Sequence, residues 1–305
     1  MMTPPSLRPL YRLLPRSLRA LWEPKTTWDE STHRLAQVLG VPPQQLESMR
    51  LGPRYHYRPF AIQKRDGRER RILAPSPALK TLQRKLLHNY LAALPLPISA
   101  TGFRSGSSIV SNAQQHTGQA WIATLDIANF FESTTADRVR AFFLKEGWRG
   151  EALSTLMRLC VYRNGLPQGA PTSPCLSNLV NRELDNALGK LAQSAGAHYT
   201  RYGDDLTFSW KSNAPPIGFE GKVRACLLDA GYTVQPRKGW QVRRVTDSPT
   251  ITGLILKPNG ELRAPSQVYW RLWQLRWRWW WMRDAQTEAR LRGYEGFIKI
   301  LKQDS

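Results

Sequence analysis

His198-Tyr-Thr-Arg-Tyr-Gly-Asp-Asp-Leu-Thr-Phe-Ser-Trp210 reads as two strands about a tight turn. Tyr199, Thr200 and Tyr202 are β-formers. Leu206, Phe208 and Trp210 alternate with Thr207 and Ser209, the period of a half-buried strand. Gly203 with Asp204 and Asp205 supplies the turn chemistry. The spacing predicts a β-hairpin with two adjacent carboxylates at its tip. Taken alone, an Asp-Asp turn is an ordinary solvated loop, and its surroundings decide whether it carries chemistry.

Upstream, the apolar run Ala120–Leu125 predicts a buried central strand that delivers Asp126 at its end, followed by Ile127-Ala-Asn-Phe130-Phe131. Charge at the end of a buried strand is costly unless it binds something. Ala136–Gly147 and Glu151–Tyr162 read as helices. Gly165-Leu-Pro-Gln-Gly-Ala-Pro-Thr-Ser-Pro174 is a Gly/Pro loop stiff enough to hold a shape. The helix after it gathers Leu176, Leu179, Val180, Leu184, Leu188 and Leu191 on one face. Beyond the hairpin come a helix (Phe219–Gly231), a strand (Tyr232–Gln235), Arg237-Lys238, a strand hairpin through Thr250–Leu256 and a turn at Pro258-Asn-Gly260.

Residues 1–50 read as a helical, peripheral extension, with Thr27 or Asp29 as a helix cap. Tyr57–Gln63 and Arg70–Leu73 read as strands around Asp66-Gly67, a strong hairpin signal. Lys64, Arg65, Arg68, Arg70 and Arg71 crowd that hairpin. They make either a solvated basic turn or a grip for phosphate. Leu79, Leu82, Leu86, Leu87 and Tyr90 recur at helical spacing. Gly102-Phe-Arg-Ser-Gly106 reads as a flexible loop, and Asn112-Ala-Gln-Gln-His116 falls on a short helix. His116 taken singly reads as a satisfied structural histidine. From Ser266, Trp270, Trp273, Trp277 and Trp280/Trp281 fall at three- and four-residue steps. That stripe reads as the core of a small helical unit. Arg271, Arg278, Arg283 and the surplus tryptophans Trp279 and Trp281 remain for stacking on or tracking a nucleic-acid backbone.

Lys and Arg outnumber Asp and Glu by 44 to 23, a formal charge of +21, in a chain whose hydrophobic fraction of 41% is that of a folded protein. A polyanionic partner follows, and nucleic acid is favoured over a membrane because no apolar span or polybasic tail stands out. Cys160, Cys175 and Cys226 are widely separated and form no Cys-x-x-Cys pair, which argues against zinc and fits a reducing cytoplasm. The basic N-terminus (Arg8, Arg12, Arg16, Arg19) is broken by prolines and lacks the apolar core of a signal peptide.

If the buried strand and the hairpin are neighbours in one sheet, Asp126 meets Asp204. Like charges brought together repel unless a cation lies between them. Hard divalent cations suit such a site, because Mg²⁺ takes carboxylate oxygens and substrate phosphates. Two ions can clamp the attacking and leaving oxygens of a phosphoryl transfer. Lys64 and Arg70 would then meet a triphosphate. That is the chemistry of a nucleotide polymerase.

Asp126 with Phe130-Phe131, the Leu166–Pro174 loop, and Tyr202-Gly-Asp-Asp205 resemble, in this order, three core motifs of reverse transcriptases. Lys64-x-x-Gly67-x-x-Arg70-x-Ile72-x-x-Pro75 looks like the fingers of the bacterial branch. Asn112-Ala-x-x-His116 and Ile251-Thr252-Gly253 resemble two elements of retron-type bacterial reverse transcriptases. The resemblance covers roughly residues 55–260. It implies an α+β right-hand polymerase: a helical extension over 1–50, fingers and an antiparallel-sheet palm over 51–250, and a short helical thumb over 251–305. It implies two Mg²⁺ held by Asp126, Asp204, Asp205 and the Ile127 carbonyl. Phe131 falls at the family's steric gate, which would select dNTP substrates. Gln168 would pack against the nucleotide, and Lys238 matches a lysine that protonates pyrophosphate. Asn112, His116, Thr252 and Gly253, in those two elements, would contact RNA or DNA; Arg271, Arg278 and Trp279, outside the resemblance, are candidate contacts by the pattern of their helix alone.

By the same resemblance the enzyme is an RNA-directed DNA polymerase. It copies part of a structured non-coding RNA into covalently branched RNA–DNA, in anti-phage defence, alongside an effector protein from the same locus. The rival readings are another bacterial reverse transcriptase (group II intron-like or abortive-infection type) and a catalytically inactive RNA-binding scaffold. Gly203 departs from the pattern. Many reverse transcriptases carry Ala, Met or Val there, whereas Gly is typical of viral RNA-dependent RNA polymerases, so Phe131 carries the argument for DNA.

Overall fold

The structure, a computed structural model, describes residues 29–49, 57–63, 67 and 69–303. The expectations for Thr27, Lys64, Arg65, Asp66, Arg68 and the basic N-terminus lie outside the described residues. Helices α1 (Glu30–Leu39) and α2 (Pro43–Met49) precede a hairpin of β1 (Tyr57–Gln63) and β2 (Glu69–Pro75), then α3 (Pro77–Asn89) and α4 (Ile109–Gln114). Strand β3 (Trp121–Asp126) is followed by α5 (Phe130–Ser133), α6 (Ala136–Lys145), α7 (Gly150–Cys160), α8 (Ser173–Val180) and α9 (Arg182–Ser194). Then come β4 (Ala197–Tyr202), β5 (Asp205–Trp210), α10 (Phe219–Asp229) and β6 (Gln241–Arg244). Short strands β7 (Thr250–Ile251), β8 (Leu254–Leu256) and β9 (Leu262–Arg263) lead to α11 (Ser266–Met282) and α12 (Ala285–Gln303). The class is α+β with antiparallel sheets.

The central sheet runs β4-β5-β3-β6. Strand β3 is interior because both its faces are apolar and both are covered. Ala123 and Leu125 face a core with Leu184, Leu188, Leu206, Phe208, Val223 and Leu227, supplied in part by α9 and α10. Ile122, one residue out of phase, faces Val110 of α4 and Ile251, Leu254 and Leu256 of the small sheet. This is the two-residue period of a strand buried on both sides.

A separate core joins Leu35 and Leu39 of α1 with Leu79, Leu86, Phe143, Trp148, Leu156 and Leu176. The extension expected to be peripheral is therefore part of a core from α1 onward. Asp29 caps α1, its carboxylate accepting from the Thr32 amide at 2.8 Å.

Three elements differ from expectation. The single helix expected after the Gly/Pro loop breaks at Asn181 into α8 and α9. The Asn181 amide donates to the Ser177 carbonyl (2.7 Å) and the Tyr232 hydroxyl (2.9 Å), the side chain competing with the helix backbone. Tyr232–Gln235 contributes only a bridge, Val234 to Ile127, beside the end of β3. Helix α12 was not anticipated, because Gly293 and Gly296 weaken its helical signal.

The tryptophan stripe is the sharpest correction. Leu272, Leu275 and Leu291 form the small core between α11 and α12, with Trp279 packed against them. Trp270, Trp273, Trp277, Trp280 and Trp281 point to solvent instead. Among the described residues, no helix is long and apolar enough to cross a membrane.

Candidate active site

The β4–β5 hairpin forms as its alternation predicts, with Thr200 opposite Thr207 and Tyr202 opposite Asp205. Gly203 turns the chain at a φ of 65°, and a Cβ there would stand 3.2 Å from the Phe103 ring. A positive φ and a ring overhead together account for glycine at this position. The loop expected to be flexible is pinned beside it. Arg201 donates its amide to the Ser99 carbonyl (2.7 Å), and the Thr101 amide returns a bond to the Arg201 carbonyl (2.9 Å). The buried Asn178 amide donates to the Gly102 carbonyl at 2.7 Å. Gly102 has no room for a side chain, since a Cβ would lie 2.5 Å from the Gly203 nitrogen.

Asp126 sits opposite Asp205 in the β3–β5 register. The Ile127 amide donates to the Asp204 carbonyl at 2.9 Å, tying the end of β3 to the hairpin tip. The Gln235 amide holds the Asp126 carbonyl at 2.8 Å. The Asp126 side chain is only 9% exposed, while that of Asp205 is 41% exposed.

Burial, a hydrogen bond that protonated Asp205 donates to Asp126, and the charges of Asp126 and Asp204 push Asp205 up to about 8. Asp204 is also raised, first by removal of water around it and then by Asp126, although solvent still reaches its side chain. The Lys238 ammonium bonds Asp126 and lies 3.9 Å from Asp205. Burial alone would lower this lysine, but the Asp126 hydrogen bond and the surrounding carboxylates raise it.

A divalent cation fits this donor set. Three carboxylates crowd one sheet end, two are driven toward protonation, and a lysine ammonium lies among them as a cation. Among the described residues no three His, Cys, Asp or Glu side chains already converge at coordinating distance.

The walls come from distant parts of the chain. Arg70, exposed on β2, is near enough for its charge to draw Asp204 down. The Gln168 carbonyl accepts from the Leu73 amide at 2.8 Å, which docks the Gly/Pro loop onto β2. Phe131 packs against Phe103, ring centroids 5.8 Å apart, and Phe103 reaches Tyr202 at 6.4 Å. Phe103 was missed from sequence. The Gly-Phe-Arg stretch was visible, but nothing local showed that its ring roofs Gly203.

Beneath the hairpin lies a buried ion pair that was also missed. Arg201 binds Asp185 with Nε at 2.7 Å and Nη2 at 2.6 Å, both side chains fully buried. Its Nη1 donates to the Gly203 carbonyl at 3.1 Å. Tyr199 adds a bond to Asp185 at 3.1 Å. Burial would lower the guanidinium, and Asp185 more than compensates.

Asn112 and His116, expected to contact nucleic acid, are fully buried. The His116 ring nitrogens bond Ser209 (2.7 Å) and Thr200 (2.8 Å), so the ring clamps β4 to β5. Burial, then His198, hold its pKa down to about 3. Asn112 accepts from Thr101 Oγ1 at 2.6 Å and reaches Thr252 Oγ1 at 3.5 Å. Their polar atoms meet protein. Thr252 is half-buried beside α4, while Gly253, Arg271 and Arg278 are exposed. Trp279 is half-buried against Leu272, Leu275 and Leu291, with Arg283 over its ring at 4.2 Å.

Carboxylates grouped at one end of an antiparallel sheet, within reach of the Arg70 charge, form a site suited to phosphoryl transfer. A family model described as reverse transcriptase (RNA-dependent DNA polymerase) matches residues 62–256, and the chain belongs to that family. It is similar to the Retron Mx162 reverse transcriptase of Myxococcus xanthus, 35% identical over 78% of this chain and 56% of that protein. It is 37% identical to the Retron Ec86 reverse transcriptase of Escherichia coli, over 66% of this chain and 63% of that protein. With the Retron Mx65 reverse transcriptase of Myxococcus xanthus it shares 39% identity, over 66% of this chain and 51% of that protein. The chain thus spans between about half and two thirds of the length of these relatives.

Proposed function

We propose that this chain is the RNA-directed DNA polymerase of a retron, copying part of a structured non-coding RNA into branched RNA–DNA. The observation that carries the reading is the register that sets Asp126 against Asp205, with Asp204 beside them and Lys238 bonded to Asp126. The similarity to retron reverse transcriptases supports the subtype. In this reading the β1–β2 hairpin belongs to the fingers, the four-stranded sheet is the palm, and α11–α12 form the thumb.

Asp126, Asp204 and Asp205, with the Ile127 carbonyl, would hold two Mg²⁺, which when bound lower the pKa of a primer hydroxyl and neutralise the departing pyrophosphate. Arg70 and Lys64 meet the triphosphate of the incoming dNTP. The Phe131 ring, braced by Phe103, abuts the sugar at C2′ and leaves no space for a ribose hydroxyl. Gln168 lies against the nucleotide. Lys238, released from Asp126, carries the proton to the leaving pyrophosphate. A cytoplasmic location, a role in anti-phage defence and an effector protein partner belong to the same proposal.

The test is template-directed dNTP incorporation by the purified protein and by Asp204→Asn and Asp205→Asn. Both variants lose synthesis and keep RNA affinity; retained synthesis refutes the assignment of the aspartates. Nucleic acid that co-purifies from the native locus should be branched RNA–DNA, survive proteinase and shorten with RNase. Linear product alone would place the chain with another kind of bacterial reverse transcriptase.

A further inference from the structure

Helix α11 carries five tryptophans whose exposures run from 54% to 63%: Trp270, Trp273, Trp277, Trp280 and Trp281. Contiguous exposed aromatic surface of this kind marks a binding surface. At roughly 100° per residue, Trp270, Trp273, Trp277 and Trp281 fall within about 80° of one another, opposite Leu272, Leu275 and Trp279. On the same wheel Arg271 and Arg278 lie along one flank of that face, and Arg276 and Arg283 along the other. The helix holds no Asp or Glu. Arg276 is paired with Glu295 at 2.9 Å, so the Arg271–Arg278 flank carries the stronger field. Trp270 and Trp273 already stack on each other, centroids 4.9 Å apart and planes 20° from parallel.

We propose that this face binds an unpaired stretch of nucleic acid, its bases stacking on the indoles and its phosphates following the arginine flanks. The proposal rests on the reading of the chain as a nucleic-acid polymerase and names the form of nucleic acid its C-terminal helix takes. The occupant must offer planar apolar faces and negative charge together. Unpaired nucleotides do so, and an acidic protein surface offers only the charge. The basic N-terminal stretch of this chain, with Arg8, Arg12, Arg16 and Arg19, has the wrong sign to cover the face. A duplex is excluded for a simple reason: its base faces are already stacked on neighbouring bases, so the indoles would meet only sugar and phosphate. From Trp270 to Trp281 the helix rises about 16 Å, room for about four or five stacked nucleotides.

The test compares the full chain with Trp273→Ala/Trp277→Ala and with Arg271→Gln/Arg278→Gln. Binding is measured by fluorescence anisotropy to an unstructured eight-nucleotide RNA and to a blunt RNA hairpin whose loop is a non-nucleotide linker, so that all its bases are paired. The tryptophan variant should lose about tenfold or more in affinity for the single strand, change little on the hairpin, and keep the same dependence on salt. The arginine variant should weaken single-strand binding and flatten its salt dependence. Melting temperatures stay near wild type, because none of the four side chains is in the core. Equal losses on strand and hairpin overturn the proposal, as does unchanged single-strand binding. Wild-type affinity for anionic vesicles that exceeds its affinity for the strand, lost in the tryptophan variant, also overturns it in favour of a lipid surface. Failure of the wild-type protein to incorporate dNTPs would refute the polymerase reading and leave the strand-binding result standing.

Discussion

Arg201 joins the stability of the fold to the geometry of the candidate site, and the two can be separated by substitution. Its guanidinium and the Asp185 carboxylate are both fully buried, with two hydrogen bonds of 2.7 and 2.6 Å between them. Arg201→Met leaves a buried carboxylate with only the Tyr199 hydroxyl to bond it, and Asp185→Leu leaves a buried guanidinium with only the Gly203 carbonyl. Breaking a buried pair from one side costs about 3–5 kcal/mol, because an uncompensated charge remains. For a chain of this size, that corresponds to a fall of about 5–8 °C in thermal unfolding. The double variant Asp185→Leu/Arg201→Met removes both charges and should recover most of the loss. Function should not recover with it. Arg201 also donates to the Gly203 carbonyl at 3.1 Å, next to Asp204, and methionine cannot. A charge-assisted bond of this kind is worth about 1.5–3 kcal/mol. The double variant should therefore melt near wild type while binding divalent cations more weakly and incorporating dNTPs more slowly. The assays are thermal unfolding, calorimetric titration with Mg²⁺, and single-nucleotide incorporation. Additive destabilisation in the double variant would refute the buried-pair argument. Full recovery of metal affinity along with stability would refute the role assigned to Arg201 at the turn.

His116 is held to about 3 against an ordinary value of 6.5 by burial and then His198, so the unfolded chain binds its proton first. Its contribution to stability is fully present above pH 6.5 and is lost as pH falls toward 3, amounting to about 2 kcal/mol between pH 7 and pH 5. His116→Asn should flatten that slope in denaturant titrations, and an unchanged slope would sink the assignment. Lys238→Met removes the ammonium bonded to Asp126, so the metal-free protein should melt lower. Mg²⁺ should then raise the melting temperature of the variant more than that of wild type. Equal Mg²⁺-induced shifts would contradict the picture of Lys238 as a resident cation. Phe131→Ala opens space beside Phe103 and should raise rNTP use relative to dNTP by about tenfold or more, on the order of 1–2 kcal/mol. Unchanged discrimination in competition assays would remove Phe131 as the gate.

Much of the site was legible because its signals are local. A two-residue alternation sets Leu206, Phe208 and Trp210 on one face of β5, and an apolar run marks β3 as buried; that the two pair, with Asp126 opposite Asp205 where Asp204 was expected, was decided by the tertiary fold. The hairpin was legible as a hairpin, but its docking against the Gly/Pro loop depends on the Leu73–Gln168 bond, which joins residues far apart in sequence. Gly203 looked like a departure from a family pattern. In the fold it is a turn residue at φ 65° under the Phe103 ring.

Local periodicity and residue type thus settled the strands, the hairpin and the carboxylates, because each depends on neighbours a few positions away. Contacts across the chain settled the rest. Phe103 reached Gly203, Arg201 found Asp185, and His116 and Asn112 turned inward to bond strands and loops. Helix α11 carries two opposite apolar faces, one of leucines and one of tryptophans, so its pattern cannot say which is core. The leucines met α12, and the tryptophans were left facing water.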